Sequence, residues 1–551
     1  MKEIMMPNVF LFDTTLRDGT QSEGLSLSVE DKLKIAVLLD GFGIHYIEGG
    51  WPASNPKDSE FFRRAKSLVL RQAKLTAFGS TRKAGVRPQD DPNLRALLEA
   101  ETPAVALFGK SWRLHVEKVL ETTAEENLAM IADSVAFLKE NGREVVYDAE
   151  HFFDGYRADP AYALWTVEAA AKAGADWIVL CDTNGGSLPA WVARVVGEVR
   201  ARVQTPLGAH THNDGEMAVA NALAAVEAGC TQVQGTINGY GERCGNANLV
   251  SVIPALQLKM GHHCVPPESL TRLTELSRAV SEIANLNPDP HAPYVGASAF
   301  AHKGGVHVAA VEKIAESYEH VPPELVGNRR HAVVSELSGR GNVRVRAGAL
   351  GLDARGQEKT VVARVKELEN QGYQFEAAEG SFELLVRRSR PGYVPPFEVQ
   401  ALVVTAATRD GGKMLAEATV KLRVGGETVH TASEGAGPVH ALDRALRKAL
   451  VPHYPRLADV RLADYKVRIL DPEAATGART RVLIEAAQGE ERWSTIGVSE
   501  NIIEASGQAL ADSLELKLLR DGATTAPAAG TAPAAGTAPA AGAAPAAGLR
   551  P

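Results

Sequence analysis

Short runs of β-forming apolar residues recur along the first half of the chain, each followed by a longer stretch with apolar positions at helical spacing. The runs are Val9-Phe10-Leu11-Phe12, Tyr46-Ile47-Glu48, Leu75-Thr76-Ala77-Phe78, Val105-Ala106-Leu107-Phe108, Val145-Val146-Tyr147, Trp177-Ile178-Val179-Leu180, Leu207 to His210 and Val233 to Ile237. Strand and helix alternating eight times predict a closed parallel barrel, because a single doubly wound sheet rarely needs that many strands. The intervening helices carry their own punctuation. The stretch from Ser28 to Gly41 opens on a capping serine and stops at glycine, and Ala124 to Asn141 keeps an apolar stripe throughout.

Polar residues collect where the strands lead into these helices: Asp13 to Gly19, Glu48 to Pro52, Gly79 to Thr81, Asp148 to His151 and Cys181 to Gly186. In a barrel these ends share one rim, the face that carries the chemistry. Beyond Ile253 the pattern is mostly helical to about Arg388, and His302-Lys303-Gly304-Gly305-Val306-His307 stands just ahead of one helix. The run Pro391 to Pro396 marks a boundary. After it the order strand, strand, strand, helix occurs twice, first from Phe397 to Leu450 and again from Arg461 to about Leu518. The predicted fold is therefore α/β. It comprises a (β/α)8 TIM barrel over 1–260, a helical linker subdomain over 261–395, an α+β domain of two βββα repeats over 396–520, and a disordered Ala/Pro/Gly repeat tail over 521–551.

Composition narrows the function classes. A net charge of −8, from 59 Lys and Arg against 67 Asp and Glu, leaves no basic surface on which to expect nucleic acid. No apolar run has the length of a membrane span, and the N-terminus meets Asp13 and Arg17 before any signal-like region forms. Cys181, Cys230, Cys244 and Cys264 show no Cys-x-x-Cys spacing, which fits structural thiols in a reducing compartment, so a cytoplasmic protein is expected.

The chemistry centres on Gly208-Ala209-His210-Thr211-His212-Asn213-Asp214-Gly215 at the tip of the seventh strand. Side chains two apart on a strand point the same way, so His210 and His212 project together as half of a metal site, or else as two ordinary hydrogen-bonded histidines. Closing the barrel brings the ends of strands one and eight beside strand seven. That adds Asp18 and, from the loop Gly239 to Asn248, Asn246. An acid, two imidazoles and an amide oxygen suit a divalent ion such as Mg2+, Mn2+ or Zn2+.

Leu16-Arg17-Asp18-Gly19-Thr20-Gln21, His210-Thr211-His212-Asn213-Asp214-Gly215 and Gly239-Tyr240-Gly241-Glu242-Arg243-Cys244-Gly245-Asn246 together resemble the α-isopropylmalate, homocitrate and citramalate synthases, metal-dependent barrel enzymes. The resemblance extends into the two-copy C-terminal unit, which is similar to that family's regulatory dimerisation domain. Around Gly49 to Asp58, Ala77 to Arg82 and Phe108 to Trp112 the sequence looks more like the citramalate branch than the isopropylmalate branch.

The resemblance implies a condensation of acetyl-CoA with pyruvate, with 2-ketoisovalerate as the alternative keto acid. It makes Arg17 the group that binds substrate and stabilises the developing alkoxide. It also makes Glu150 and His302 the proton-transfer candidates, with His307 competing for the latter role, and Thr183 a partner for the pyruvate carboxylate. Gly239, Gly241 and Gly245 would let the backbone approach the CoA thioester or the metal. The further expectations are a homodimer whose active site is shared through the helical extension, and feedback by isoleucine.

Free amides near Gly435-Ala436-Gly437-Pro438 and Gly497-Val498-Ser499 are candidate contacts for the effector's carboxylate. Two other classes fit less well. A barrel metallohydrolase places His-x-His after strand one, and a noncatalytic amino-acid-binding protein has no need of intact Arg17, Asp18, His210, His212 and Asn246.

Overall fold

A computed structural model describes residues 9–408 and 414–522. The Thr-Ala-Pro-Ala-Ala-Gly repeats lie outside the described residues. The described residues fold as two compact units, one formed by 9–301 together with 315–330, the other by 302–314, 331–408 and 414–522.

The first unit is built on a closed barrel of β1 (Phe10–Asp13), β2 (Tyr46–Gly50), β3 (Lys74–Ser80), β4 (Ala104–Lys110), β5 (Glu144–Glu150), β6 (Trp177–Asp182), β7 (Leu207–Thr211) and β8 (Gln232–Gly235). Neighbours run parallel all the way round. Closure is made by β1 against β8, from Phe10 opposite Gln232 to Asp13 opposite Gly235. Each strand is buried on both faces, as a parallel sheet covered by helices requires.

The alternation sorts the side chains into two cores. Leu11, Ile47, Ala77, Val105, Leu107, Val145, Tyr147, Ile178, Leu180, Ala209 and Val233 pack outward into the large cluster shared with the helices. Phe12, Tyr46, Phe78, Ala104, Ala106, Val146, Trp177, Val179 and Cys181 fill the interior. Toward the C-terminal ends of the strands the inward positions turn polar, with Glu48, Asp148, His210 and Gln234 all buried. That change of chemistry along the barrel axis fixes where a site can lie.

The helices begin where the sequence places their caps, but the first runs through Gly41, its expected stop, and ends two residues later. Ser28 caps the helix Val29–Phe42 in a reciprocal box with Asp31, and Gly43 ends it at φ 111°, a left-handed conformation in which a β-carbon is strained. Asn55 caps Pro56–Ala65 with proline at its first position. Among the described residues no helix is long and apolar enough to cross a membrane.

In the second unit the helices Arg340–Ala349, Glu358–Asn370 and Glu379–Arg388 enclose a small core of Val343, Ala347, Val361, Val365 and Phe382. Two antiparallel three-stranded sheets follow. One contains Phe397–Thr408, Met414–Val424 and Glu427–Gly435, the other Arg461–Ile469, Thr480–Gln488 and Glu491–Ser499. Each central strand is buried at alternate residues, as in Ala416, Ala418, Val420, Leu422 and Val424, and carries its helix, Pro438–Leu450 or Ile502–Arg520.

The repetition reaches individual hydrogen bonds. Thr431 Oγ1 donates to Ala445 O at 2.8 Å, and Thr495 Oγ1 donates to Ala509 O at 2.8 Å. The first strand of each sheet exposes apolar side chains, with Val403 at 60% and Ile469 at 55%. Amides expected to be free near the helix starts are in use. Ala436 N donates to His440 Nδ1 and Val498 N to Gln508 Oε1, because the loops fold back on the helices that follow them.

Candidate active site

At the mouth of the barrel β7 carries His210, and the residue just beyond its end is His212. Their Nε2 atoms stand 3.2 Å apart. Asp18, in the turn after β1, brings Oδ2 to 3.3 Å from His210 Nε2 and 4.0 Å from His212 Nε2. All three residues are buried, and their ligand atoms lie within 4.8 Å of one another. Asn246 is tied to His212 by a backbone bridge, and its Nδ2 donates to Tyr240 O at 3.3 Å. The four residues expected to hold a metal are thus supplied by the ends of three adjacent strands, β1, β7 and β8.

The donor set fits a cation. Asp18 Oδ1 and Asn246 Oδ1 are buried oxygens with no hydrogen-bond partner, an arrangement that costs a few kcal/mol unless something electropositive satisfies it. His210 Nδ1 faces Gln234 Oε1 at 2.8 Å, and an amide oxygen only accepts, so Nδ1 carries the proton. In neutral His210 a bare Nε2 therefore confronts His212 Nε2.

Electrostatics treat the two histidines differently. Burial pushes His210 down, but the hydrogen bond and charge of Asp18 outweigh it and raise His210, so that a bound cation would displace its Nε2 proton. Burial opposes charge on Asp18, but the Arg17 guanidinium and the two imidazoles hold its carboxyl well below the usual range. Burial and the neighbouring His210 push His212 down to about 3, so it is neutral and able to ligate.

Arg17 stands beside this cluster. Its Nε donates to Glu48 Oε1 at 2.6 Å, its NH1 lies 3.3 Å from Asp18 Oδ2, and its guanidinium covers the Phe78 ring at 3.7 Å. Behind it Asp148 is pushed up to about 7 by burial and by the charge of Glu48.

These groups open on a cavity of about 210 Å3. It is lined by Arg17, Asp18, His210, His212, Glu150 and Thr183, and by an aromatic cluster in which Trp51 meets Phe78 and Phe108 edge-on at 5.7 and 5.6 Å, while Phe78 and Phe108 stack at 5.2 Å.

Glu150, at the end of β5, is paired with Lys110 Nζ. Thr183 follows β6, and its Oγ1 accepts a hydrogen bond from His151 N at 2.9 Å. His151 holds a left-handed backbone at φ 56°, unusual for a residue with a β-carbon, which aims that N–H. With a lone pair of Thr183 so engaged, its hydroxyl proton is available to a ligand.

The cavity is lined by Glu242 and Arg243 of the glycine-rich loop rather than by Gly239, Gly241 or Gly245 themselves. Those glycines shape the loop. At Gly241, φ 157°, a β-carbon would sit 2.1 Å from Asn246 Nδ2, and at Gly245, φ 90°, it would sit 2.0 Å from Gly239 O. Arg243 pins the loop by donating to Asp214 Oδ1 at 2.7 Å and to Thr183 O at 2.7 Å.

His302 is not among the cavity's lining residues. It belongs to the second unit, where its carbonyl accepts from Val333 N, and His307 lies in the helix Gly305–Val311 of the same unit. Cys181 also lines the cavity, and Cys181, Cys230 and Cys264 are buried thiols, whereas Cys244 is exposed. Sequence reading placed Glu48 at the rim without a role and missed Gln234 as a site residue. The signal for the second was present in Gln232-Val233-Gln234, polar inward and apolar outward in alternation.

The family described as HMGL-like matches residues 8–280, one described as homocitrate synthase post-HMGL domain-like matches 294–373, and the LeuA allosteric (dimerisation) domain matches 376–518. A protein of Geobacter sulfurreducens named (R)-citramalate synthase is 54% identical over 93% of this chain and 98% of its own length. One of Aquifex aeolicus with the same name is 54% identical over 94% of this chain and 99% of its own length. A probable 2-isopropylmalate synthase of Methanopyrus kandleri is 35% identical over 92% of this chain and 97% of its own length. The succession of domains and the likeness along nearly the whole length agree, and the chain belongs to the (R)-citramalate synthase family.

Proposed function

We infer that the chain condenses acetyl-CoA with pyruvate and hydrolyses the resulting thioester, releasing citramalate and CoA. The observation that carries this reading is the buried Asp18, His210 and His212 cluster beside Arg17, in a small cavity also lined by Trp51, Phe78 and Phe108. Asp18, His210, His212 and Asn246 would hold a divalent cation, Mg2+, Mn2+ or Zn2+, which when bound polarises a keto carbonyl.

The remaining steps belong to side chains of the chain. The Arg17 guanidinium, fixed by Glu48 and Phe78 and charged at every working pH, neutralises the charge that grows on the keto oxygen as the new carbon–carbon bond forms. The Thr183 hydroxyl donates to the keto-acid carboxylate. Glu150, which lines the same cavity, is the acceptor for a proton of the acetyl methyl group. Trp51, Phe78 and Phe108 are the apolar lining that would meet the keto acid's alkyl group and so discriminate pyruvate from 2-ketoisovalerate. The loop bearing Gly239, Gly241 and Gly245 brings Glu242 and Arg243 to the rim, where the CoA thioester would enter.

We read the working enzyme as a homodimer. The match to a dimerisation domain and the exposed apolar side chains on the first strand of each C-terminal sheet support this. His302 of a second copy is then the other proton-transfer candidate, and isoleucine, derived from the product, is the effector that fits a feedback role.

The reading is tested by measuring free CoA released from acetyl-CoA with pyruvate and with 2-ketoisovalerate, each with and without EDTA. Release with pyruvate that EDTA abolishes supports it. Preference for 2-ketoisovalerate, or indifference to EDTA, overturns the assignment of substrate or of metal respectively.

A further inference from the structure

Gln234 stands directly opposite His210 across the β7–β8 pairing and is fully buried, with both amide atoms engaged. Its Oε1 lies 2.8 Å from His210 Nδ1, and its Nε2 donates to Asp148 Oδ1 at 3.0 Å. The two contacts are linked by direction. A carboxyl oxygen facing the amide selects the NH2 end, so Asp148 decides which way the amide lies.

The amide oxygen is thereby turned to His210 and selects the tautomer protonated on Nδ1. Nε2, the nitrogen beside Asp18 and His212, is left with its lone pair. If the amide were reversed, an N–H would face Nδ1, the proton would move to Nε2, and the ligand atom would be lost.

We propose that Gln234, oriented by Asp148, is a positioning residue that fixes the tautomer of His210 and so makes Nε2 its metal-binding nitrogen. The proposal rests on the metal reading above. The residue touches neither substrate nor reacting atoms. It acts through His210, as hydrogen-bond partners behind ligating histidines do generally. Gln234 differs from a packing residue in needing an acceptor at one end and a donor at the other. Methionine matches its length without supplying either, and a glutamic acid protonated toward Asp148 supplies both.

The test is calorimetric titration of Mn2+ into the full-length, metal-stripped protein and its Gln234→Met, Gln234→Glu and His212→Ala variants. Gln234→Met is expected to weaken Mn2+ binding by about 10- to 100-fold, and Gln234→Glu to restore most of it. Wild-type affinity in Gln234→Met overturns the proposal while leaving the metal site standing. Wild-type affinity in His212→Ala overturns the metal site itself.

A second measurement requires no substitution at Gln234. In the zinc-loaded chain labelled with 15N-histidine, the His210 resonance, identified by its absence from His210→Asn, is expected to show a proton on Nδ1 and the metal on Nε2. Metal on Nδ1 overturns the proposal.

Discussion

Arg17 and Glu48 form a pair at the barrel mouth in which the carboxylate, wholly buried, receives Nε at 2.6 Å and NH2 at 3.4 Å. The fork engages two of the three guanidinium nitrogens and leaves NH1 directed to Asp18. Burial alone pushes the Glu48 carboxyl up, and the Arg17 charge works against that shift, so each member keeps the other usable. Replacing Glu48 with Ala removes the fork and leaves the guanidinium with Asp18 as its carboxylate partner. The expected outcome is a loss of about 1–3 kcal/mol of stability in a denaturant melt, together with loss of CoA release.

Arg17→Lys keeps the charge and discards the fork. A lysine ammonium cannot hold Glu48 at two points while reaching the cavity, so the rate of CoA release should fall about 100- to 1000-fold, with Mn2+ binding nearly unchanged. Loss of metal affinity on the same scale would show instead that Arg17 acts mainly by orienting Asp18.

The aromatic cluster makes a prediction about substrate choice. Phe108 stacks on Phe78 and meets Trp51 edge-on, so Phe108→Ala lengthens the cavity on its apolar side. The ratio of rates with 2-ketoisovalerate and pyruvate should shift toward the larger acid by about 10- to 200-fold, the range open to a few methylene-sized contacts. An unchanged ratio would mean that selection is made elsewhere.

In the second unit Glu336 N donates to Glu369 Oε2 at 2.7 Å. Burial and the neighbouring Glu336 carboxyl push Glu369 up to about 7, while Glu336 is lowered. Glu369 thus binds its proton more tightly in the folded chain than in the unfolded one. Its contribution to stability is complete below the ordinary glutamate range and is lost as pH rises through about 7. Melting temperature should therefore fall across that interval, and Glu369→Gln should flatten this part of the profile. A profile identical to wild type would show that Glu369 does not carry the pH dependence.

If the C-terminal unit senses product, isoleucine added to the full-length enzyme should lower CoA release where the same concentration of leucine does not. Equal response to both, or to neither, would remove isoleucine as the effector.

Much of this architecture could be read along the chain. Strand and helix alternation was enough to place Asp18, His210, His212 and Asn246 on one rim, because a closed barrel leaves no freedom about which strand ends are neighbours. The two βββα units were legible for a related reason, since each central strand alternates strictly, as in Val482, Ile484 and Ala486. What lay hidden depended on register. Phe78 and Phe108 stack because Phe108 pairs with Ser80, two residues beyond Phe78 on the same face, and no spacing in the sequence states that offset. Gln234 escaped notice, and Glu48 was placed at the rim without a role, because each lies within a short apolar run, where the inward turn of one polar residue becomes visible only when the barrel closes.

Gly241 and Gly245 perform no chemistry, yet the amide that completes the cation's proposed cage keeps its place because neither has a side chain. A methyl group added at either position would evict its neighbour before substrate ever arrived. Random mutagenesis of this enzyme should accordingly find alanine in this loop as damaging as alanine for an imidazole: here the catalyst is written partly in atoms left out.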